Sequence, residues 1–341
     1  MVAANANNSL TLLDLAKRTD PNGEVPIIAE LLSQKNEILI DIPWKEGNLP
    51  TGHRSTIRTG LPQAYWKRPN AGSAASKSTT AQIDEAAGII EAWCVLDYNA
   101  AIMDGNAQKY RLTEADAFIE SMSQQLAQQL IYGNSLVNAE RFMGLAPRFG
   151  AISGAVNGQN ILNALGSGAT NTSLWLVGWG ENTVSGIYPR GTMAGLQHYD
   201  FGDRPWQTSV TFGAGQIHAF VDLWQWYCGL MLKDWRYVVR CANVSLPDLT
   251  GGTGSQSAQQ LIKLMARMFW RLPSKGPGIK PVFYANRTLQ SMPMIQALDK
   301  SQNILSVQEA LTQFGPVMEL RFLGVPIRTN DQILNTESAI S

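Results

Sequence analysis

The chain has 341 residues, with 27 basic and 27 acidic side chains, so its formal net charge is zero. Charged residues make up only 16% of the chain, against roughly 25% in ordinary globular domains. A hydrophobic share of 45% excludes a disordered protein, and the missing basic excess argues against a dedicated duplex-DNA binder. So few charges are typical of a surface that faces other protein, although a compact enzyme with a polar, uncharged surface fits equally well.

Targeting signals and disulfides are not expected. No apolar run approaches the roughly 18 residues that a membrane helix requires. Residues 1–15 lack the basic stretch and apolar core of a secretory signal. Three cysteines cannot form a disulfide framework, which favours a reducing compartment.

The first part of the chain is predicted to be loose and then helical. Residues 1–9 are small and rich in asparagine, as in a poorly ordered terminus. Apolar residues at helical spacing predict a short helix over residues 10–18 and a second over residues 26–35. The break between them falls at residues 21–23, a Pro-Asn-Gly turn signal.

Residues 45–80 differ from the rest of the chain in charge. They contain one acid, Glu46, and six basic residues, which are Lys45, Arg54, Arg58, Lys67, Arg68 and Lys77. The remainder of the chain is therefore net acidic. Alternating residues predict two strands of a polar hairpin at 51–59 and 64–68. A long segment without apolar runs cannot bury a core of its own, and such loops are usually functional or disordered.

Three interpretations of this basic segment stay open at the level of residue pattern. Its basic residues, with Tyr65 and Trp66 between them, could contact nucleic acid through phosphates and stacked bases. They could instead form an arm that docks on a neighbouring copy, because Trp and Arg are favoured anchors at protein interfaces. A solvated loop is the third interpretation.

The strongest helix signal covers residues 112–133. Thr113 and Asp116 form a variant capping box, and Gly133 ends the pattern. The apolar positions that recur every fourth residue are Phe118, Met122, Leu126 and Leu130. The other face carries Gln124, Gln125, Gln128 and Gln129. These side chains are polar but uncharged, so they suit a protein neighbour as well as water.

The remaining pattern mixes strands and helices. Predicted strands and hairpins are a buried strand at 174–177, a hairpin of 217–232 with 235–244 around Lys233-Asp234, a strand at 281–285, and a hairpin of 318–322 with 325–328 around Gly324. A helix capped by Ser255 or Ser257 is predicted to turn four residues inward, namely Leu261, Leu264, Met265 and Met268.

Motifs that carry chemistry are largely missing. The sequence has no G-x-S-x-G, no H-E-x-x-H and no P-loop, and it has only three histidines. His198 with Asp200 could be an oriented base or part of a metal site, but a loop histidine is the favoured interpretation. Cys228 and Cys241 lack metal-ligand spacing and are expected to be buried thiols. We therefore predict no catalytic residue, no cofactor site and no metal site.

Two further segments have a functional and a structural interpretation. The Gly251–Gly254 loop before a helix could hold a phosphate, but a connector is favoured because no Lys-Ser/Thr follows. Trp224, Trp226, Tyr227 and Trp235 could form a platform for sugars. A packed sheet face is the favoured interpretation of these aromatic residues.

The order of parts resembles the major capsid protein of tailed phages, which has the Hong Kong 97-type fold. Local sequence is similar to the capsid proteins of short-tailed phages of the epsilon-15 kind. The similar stretches are TLLDLAKR at 11–18, EGNLPTGHR at 46–54, YGN at 132–134, GIYP at 186–189, DWRYVVR at 234–240 and FLGVPIR at 322–328. No single stretch is diagnostic, but their order and density are.

The resemblance implies an α+β fold and a division into regions. These are an N-terminal arm (1–44), an extended loop (45–85), a peripheral domain with a spine helix (86–140), an axial domain (141–300) and a return hairpin with the C-terminus (301–341). Contacts between subunits are expected through the extended loop at Lys45, His53, Arg54, Arg58, Tyr65, Trp66, Lys67 and Arg68, and through the four glutamines of the spine helix.

The implied function is a shell subunit without catalysis, located in the virion and assembled in the host bacterial cytoplasm. Its expected partners are copies of itself in pentamers and hexamers, a separate scaffolding protein, a cement or decoration protein, a portal, and packaged double-stranded DNA bound without sequence recognition. No membrane is expected. Some members cross-link covalently, but no motif here identifies the residues required. The alternative is a sugar-binding module of a phage tail or bacterial surface protein, and a hydrolase ranks third.

Overall fold

The computed structural model describes residues 34, 36–103, 107–207, 215–250, 256–299, 305–312 and 315–341. The chain divides into two compact units. We call the described parts of residues 1–35, 89–126 and 195–227 the first unit, and those of residues 36–88, 127–194 and 228–341 the second unit. The helices predicted at 10–18 and 26–35, the Gly251–Gly254 loop and the Ser255 cap lie outside the described residues.

The described elements alternate between strands and helices. In chain order they are α1 (Ile38–Asp41), β1 (Trp44–Glu46), β2 (Gly52–Gly60), β3 (Thr79–Asp97), α2 (Tyr98–Met103), α3 (Ala107–Tyr132), β4 (Ile161–Asn163), β5 (Asn171–Trp179), β6 (Val184–Tyr188), β7 (Leu196–Gln207), β8 (Gln216–Leu232), β9 (Val238–Ser245), α4 (Leu246–Thr250), α5 (Gln256–Arg271), β10 (Lys280–Ala285), α6 (Arg287–Asp299), β11 (Leu305–Thr312), β12 (Gly315–Phe322) and β13 (Val325–Thr329). Three-residue-per-turn helices cover Ala146–Phe149, Val156–Asn160 and Trp235–Tyr237.

Strand β5 is the centre of the second unit. It lies antiparallel between β9 and β10, and β10 continues in parallel to β13. All nine residues of β5 are buried, as an apolar strand covered on both faces must be. The predicted strands at 174–177 and 281–285 are therefore confirmed.

Helix α5 covers the core of this sheet. The four residues predicted to face inward, Leu261, Leu264, Met265 and Met268, are all buried in the cluster that includes Val239, Phe283 and Phe322. The predicted C-terminal hairpin is also confirmed, because β12 and β13 are antiparallel. Its turn places Leu323 at φ 49° and Gly324 at φ 79°, left-handed values that favour glycine at the second position.

The predicted hairpin of residues 217–232 with 235–244 is wrong. Strand β8 pairs with β6 and β7, whereas β9 pairs with β4 and β5. Between them the Asp234 carboxylate accepts hydrogen bonds from the Arg236 N–H (3.0 Å), which starts a short helix and redirects the chain. Trp235 and Tyr237 lie in that helix and not on a strand face.

In the first unit, β7 and part of β8 form an antiparallel pair. A small core joins Cys94, Leu96, Ala101 and Tyr110 to Phe118 and Phe220.

Helix α3, predicted over 112–133, ends as expected but begins at Ala107, so that its 26 residues span about 39 Å. Thr113 is therefore not a cap, and its hydroxyl donates to the Lys109 carbonyl one turn earlier (3.0 Å). Among the described residues no helix is long and apolar enough to cross a membrane.

Candidate assembly interface

The extended loop (residues 45–85) contains a two-stranded hairpin, with a different second strand from the one predicted. Strand β2 pairs with β3, so that Arg54 lies opposite Asp84 and Arg58 opposite Thr80. Residues 64–68 are not a strand. The hairpin closes through residues 61–78, which we call the loop tip, because the partner strand begins only at Thr79.

The loop tip is exposed along its whole length. The Trp66 side chain is fully exposed at 104%, Leu61 is 80% exposed and Tyr65 is 50% exposed. The Tyr65 hydroxyl donates to the Gln63 side chain, and the Ala71 N–H donates to the Arg68 carbonyl (3.2 Å). An indole held entirely in water is unusual for a folded chain, and contiguous exposed apolar surface marks an interaction site.

The basic residues of the loop divide into paired and unpaired ones. Arg54 makes a bidentate bond to Asp84, with both distances 2.6 Å. This bond lowers the pKa of the Asp84 carboxyl below its usual value. Lys45 pairs with Glu181 at 3.1 Å. Within the described part of the chain Arg58, Lys67 and Arg68 have no carboxylate partner, so they retain their charges for a neighbour.

His53 lies where protonation is disfavoured. Burial and the positive charges of Lys233 and Lys45 lower the pKa of the imidazole. Its Nδ1 atom is buried without a hydrogen-bond partner among the described residues. The His53 ring is half-buried, whereas the residues of the loop tip are exposed.

The base of the loop is held by a buried ion pair that sequence analysis missed. The Arg148 guanidinium donates to both oxygens of Glu85, at 2.5 and 2.6 Å, and also to the Gly144 and Met143 carbonyls. The two side chains of the pair are 15% and 7% exposed. Gly52 is required opposite this strand, since a Cβ there would lie 2.0 Å from the Glu85 carbonyl oxygen.

Two of the sequence stretches quoted above meet beneath the loop. Strand β1 runs parallel to β6, with Glu46 opposite Tyr188. The Gly47 N–H donates to the Tyr188 carbonyl (2.7 Å), and the Gly191 N–H donates to the Glu46 carboxylate (3.0 Å). Residues 46–54 and 186–189 thus form one structural element that attaches the loop to the rest of the second unit.

Another of these stretches supplies a buried cation, Arg240. Its guanidinium pairs with Glu337 at 2.9 Å, and the two side chains are 5% and 6% exposed. It also donates to the Ser173 hydroxyl (3.0 Å) and the Phe149 carbonyl (2.8 Å), and it lies 5.0 Å from the Trp175 ring centre. All of its polar contacts are inside the second unit, which makes Arg240 a structural residue.

The C-terminal segment is fixed to the second unit through the same network. The Glu337 carboxylate accepts hydrogen bonds from the Tyr132 and Ser173 hydroxyls. Burial and the charge of Glu337 raise the pKa of Tyr132, so this hydroxyl stays a donor. Backbone bonds join Glu337 to Asn171 and the Ser341 carbonyl to the Ile152 N–H (3.0 Å).

The four glutamines of helix α3 have different environments. Gln124 donates to the Glu120 carboxylate on the same helix (2.7 Å). Gln129 donates to the Phe142 carbonyl (2.6 Å) and so fixes the segment that follows the helix. Gln125 and Gln128 are exposed. Gln124 and Gln129 are half-buried.

The hypothetical His198–Asp200 base is not formed. The His198 Nε2 atom lies 3.0 Å from Asp222, and its ring stacks on Trp224 with centres 4.0 Å apart. Asp200 pairs with Arg111 at 2.8 Å. The Gly202 N–H and the Arg111 guanidinium hold the pKa of Asp200 below its usual value. These side chains form a charge-compensated cluster on the first unit.

The cysteines are buried thiols, as predicted. Cys94, Cys228 and Cys241 are free, and burial raises the pKa of each to about 12. A thiol with so high a pKa is a poor nucleophile at neutral pH. The described residues contain no group of three or more His, Cys, Asp and Glu side chains placed to hold a metal ion.

Comparison with known protein families identifies the family of this chain. The sequence matches the family described as Major capsid protein GP7 over residues 20–341, nearly the whole chain. The chain belongs to this family of major capsid proteins. The resemblance identified from the sequence is thus confirmed.

Several solved capsid structures are similar to this major capsid protein. The structure of bacteriophage Epsilon15 is 32% identical, covers 100% of this chain and 99% of that chain, and has a TM-score of 0.77. The bacteriophage JBD30 capsid is 11% identical, covers 90% and 99%, and has a TM-score of 0.45. The capsid of a native GTA particle is 8% identical, covers 63% and 92%, and has a TM-score of 0.44. No curated protein matches the sequence.

The major capsid protein has the α+β fold of the Hong Kong 97 type, and its function is structural. It self-assembles into the shell of a phage, and its location is the virion. The family and the Epsilon15 structure give no support to the sugar-binding alternative.

Proposed function

We propose that this capsid protein assembles as pentamers and hexamers into an icosahedral shell around double-stranded DNA, and that the extended loop of each copy lies on an adjacent copy. Assembly takes place in the host cytoplasm with a separate scaffolding protein, and the shell meets a portal and a cement protein. The protein acts by association and not by catalysis. The single observation that carries the role of the loop is the fully exposed Trp66 beside uncompensated cations.

Apolar burial is the first contribution to this contact. Trp66 and Leu61 expose nearly all of their side chains in the isolated subunit. Burial of an aromatic side chain removes roughly 150–250 Å² of surface from water, and each Å² contributes about 25 cal/mol. A neighbour that covers Trp66 therefore gains a substantial share of a hot spot's binding energy.

Charge is the second contribution. Arg58, Lys67 and Arg68 are unpaired within the described residues, whereas the chain outside 45–80 is net acidic. Complementary charge of this kind fixes which surfaces meet and raises the association rate more than the affinity. The expected contact residues are accordingly Arg58, Tyr65, Trp66, Lys67 and Arg68. Lys45 and Arg54 are instead paired with Glu181 and Asp84 of the same subunit, and His53 is half-buried.

Rigidity is the third contribution. The loop is a paired hairpin closed by the Arg54–Asp84 bond and held at its base by Glu85 and Arg148. A preformed arm loses less conformational entropy on docking than a disordered one.

We assign residues 86–140 to a peripheral domain with α3 as its spine, residues 141–300 to an axial domain, and Gln125 and Gln128 to a second contact.

The test is a loop-tip variant in which Trp66→Ala is combined with Arg68→Glu. We expect the variant subunit to fold with an unchanged thermal midpoint, because both side chains are exposed. Because a truncated anchor commonly weakens an interface by 2 kcal/mol or more, we expect roughly a 30-fold loss of association or more. The yield of sedimenting particles, checked by negative-stain electron microscopy, measures this loss.

The matched control changes exposed residues elsewhere in the second unit, Val156→Ala with Arg190→Glu. Val156 is an apolar residue that is 65% exposed, as the apolar residues of the loop tip are, but it lies outside the loop tip. Arg54 is avoided because its reversal would place a carboxylate opposite Asp84 and weaken the hairpin directly. Normal particle yield from the loop-tip variant would refute the docking role of the loop.

A further inference from the structure

Helix α5 has an outward face that the core does not use. Its apolar residues turn toward the sheet, whereas Lys263, Arg267 and Trp270 recur at the spacing of one face and are all exposed. Trp270 is 74% exposed. This surface belongs to the second unit and is far in sequence from the extended loop.

A lysine organises the aromatic part of this face. The Lys275 ammonium lies 4.1 Å from the centre of the Phe269 ring and 4.2 Å from that of Trp270. The two rings meet edge to face at 5.6 Å. A cation in contact with both rings restrains the indole, so Trp270 is a fixed anchor and not a freely rotating side chain.

The cations on this face have no carboxylate partner among the residues that the structure describes. Arg271 donates to the backbone carbonyls of Gln159 and Ile161, which carry no charge. Burial and the nearby charge of Arg267 lower the pKa of Arg271. Among the described side chains no carboxylate pairs with Lys263, Arg267, Arg271 or Lys275.

A cleft adjoins the indole. It has a volume of about 530 Å³ and is lined by Leu162, Ala266, Arg267, Trp270 and Arg271. Its apolar floor and cationic rim match a protruding apolar side chain that is followed by a carboxylate. The rim guanidiniums can bind such a carboxylate in the bidentate manner.

We infer that the outward face of α5 is a further contact surface, on which an acidic surface of another copy of this chain docks with Trp270 as the anchor; this inference rests on the proposed shell and involves neither the extended loop nor Gln125 and Gln128. This inference goes beyond the extended-loop contact, since it uses different residues. The partner is identified by charge: outside residues 45–80 the chain is net acidic, so a second copy supplies the carboxylates that these cations lack.

The exposed indole distinguishes this partner from nucleic acid. Duplex DNA presents phosphates to cations, but its bases are stacked on one another and leave no face for Trp270. Protein interfaces, by contrast, concentrate Trp and Arg at their hot spots. The composition of this face therefore favours a protein neighbour.

The test combines assembly with residue-level protection. We expect Trp270→Ala with Arg267→Gln to leave the thermal midpoint of the subunit unchanged and to lower particle yield by about 10-fold or more. In wild-type particles, oxidation of Trp270 by hydroxyl radicals should fall several-fold relative to the same chain dissociated into subunits. This second readout does not depend on how the variant folds.

Leu136→Ala with Arg141→Gln is the matched control, because Leu136 is 87% exposed and Arg141 is exposed in the same unit. Equal oxidation of Trp270 in particles and subunits would overturn the inference. So would normal assembly of the variant together with loss of binding to a short duplex DNA, which would assign the face to nucleic acid. If the loop-tip variant assembled normally, the docking role of the loop would be refuted. The protection of Trp270 in particles would still decide the role of α5.

Discussion

Replacing Arg240 with methionine is expected to lower the free energy of unfolding by about 3–5 kcal/mol. The change leaves the Glu337 carboxylate buried without its cation, although two hydroxyls still donate to it. A lone buried charge costs far more than the pair contributes, because nothing replaces the water that it lost. Urea unfolding of the dissociated subunit measures the difference.

Two variants sharpen this prediction. Arg236→Met removes an arginine whose side chain is 57% exposed and which pairs with Asp234, so we expect a loss below about 1 kcal/mol. The double replacement Arg240→Met with Glu337→Leu removes both charges and should recover most of the stability. Equal losses in Arg240→Met and Arg236→Met would contradict the structural role assigned to the buried pair.

Replacing Arg148 with methionine is expected to cost about 3 kcal/mol and to release the base of the extended loop. Glu85 would keep its place in β3 but lose both guanidinium bonds. Hydrogen exchange of the β2 amides should therefore accelerate more than exchange in β5, which lies at the centre of the sheet. Particle yield should fall as well, because a loosened arm docks at a greater entropic cost.

Arg54→Met is the comparison for this second prediction. It breaks the exposed Arg54–Asp84 bond on the same hairpin without changing the buried base. We expect a smaller effect on stability and exchange, because an exposed pair in water contributes little. If Arg54→Met loosened β2 as much as Arg148→Met does, the buried pair would not be what fixes the loop.

Local pattern predicted the elements whose signal lies within a few residues. Strand β5 is recognisable because an uninterrupted apolar run with β-branched neighbours has only one stable environment. Helix α5 is recognisable because four apolar residues recur at helical spacing. The β12–β13 hairpin carries its own turn, with Gly324 at the left-handed position.

Pairing between distant strands could not be predicted in this way. Strand β3, the partner of β2, begins at Thr79, almost twenty residues after β2 ends. Nothing in the polar sequence of the loop tip indicates the register between the two strands. The failed hairpin at Lys233-Asp234 shows the same limit. Strands β8 and β9 are adjacent in the sequence, but β8 pairs with β6 and β9 pairs with β5. Such pairing depends on the packing of the whole sheet.

The residues of the candidate interface also differ in whether local sequence or long-range pairing determines their role. Composition marked the basic segment, with Trp66 and the cations of the tip, as candidate contact residues. It could not distinguish Arg54, which is neutralised by Asp84, from Arg58, which is not, because that depends on the cross-strand register. Glu85, Arg148 and Glu337 gave no local signal at all, since each acts through a partner more than sixty residues away.

The zero net charge of the chain acquires a structural explanation. Lys45 and Arg54 are compensated within the subunit, whereas Arg58, Lys67 and Arg68 are not. Lys263 and Arg267 on the outward face of α5 also have no carboxylate partner within the part of the chain that the structure describes. A subunit of balanced charge can associate with many copies of itself without accumulating electrostatic repulsion.

The most direct test of the central claim is an electron cryo-microscopy reconstruction of the particles that this chain forms. The account predicts a closed icosahedral shell of pentamers and hexamers in which residues 45–85 of each copy lie on an adjacent copy and bury Trp66. A shell in which the loop tip contacts only its own subunit, with the indole still in water, would contradict it.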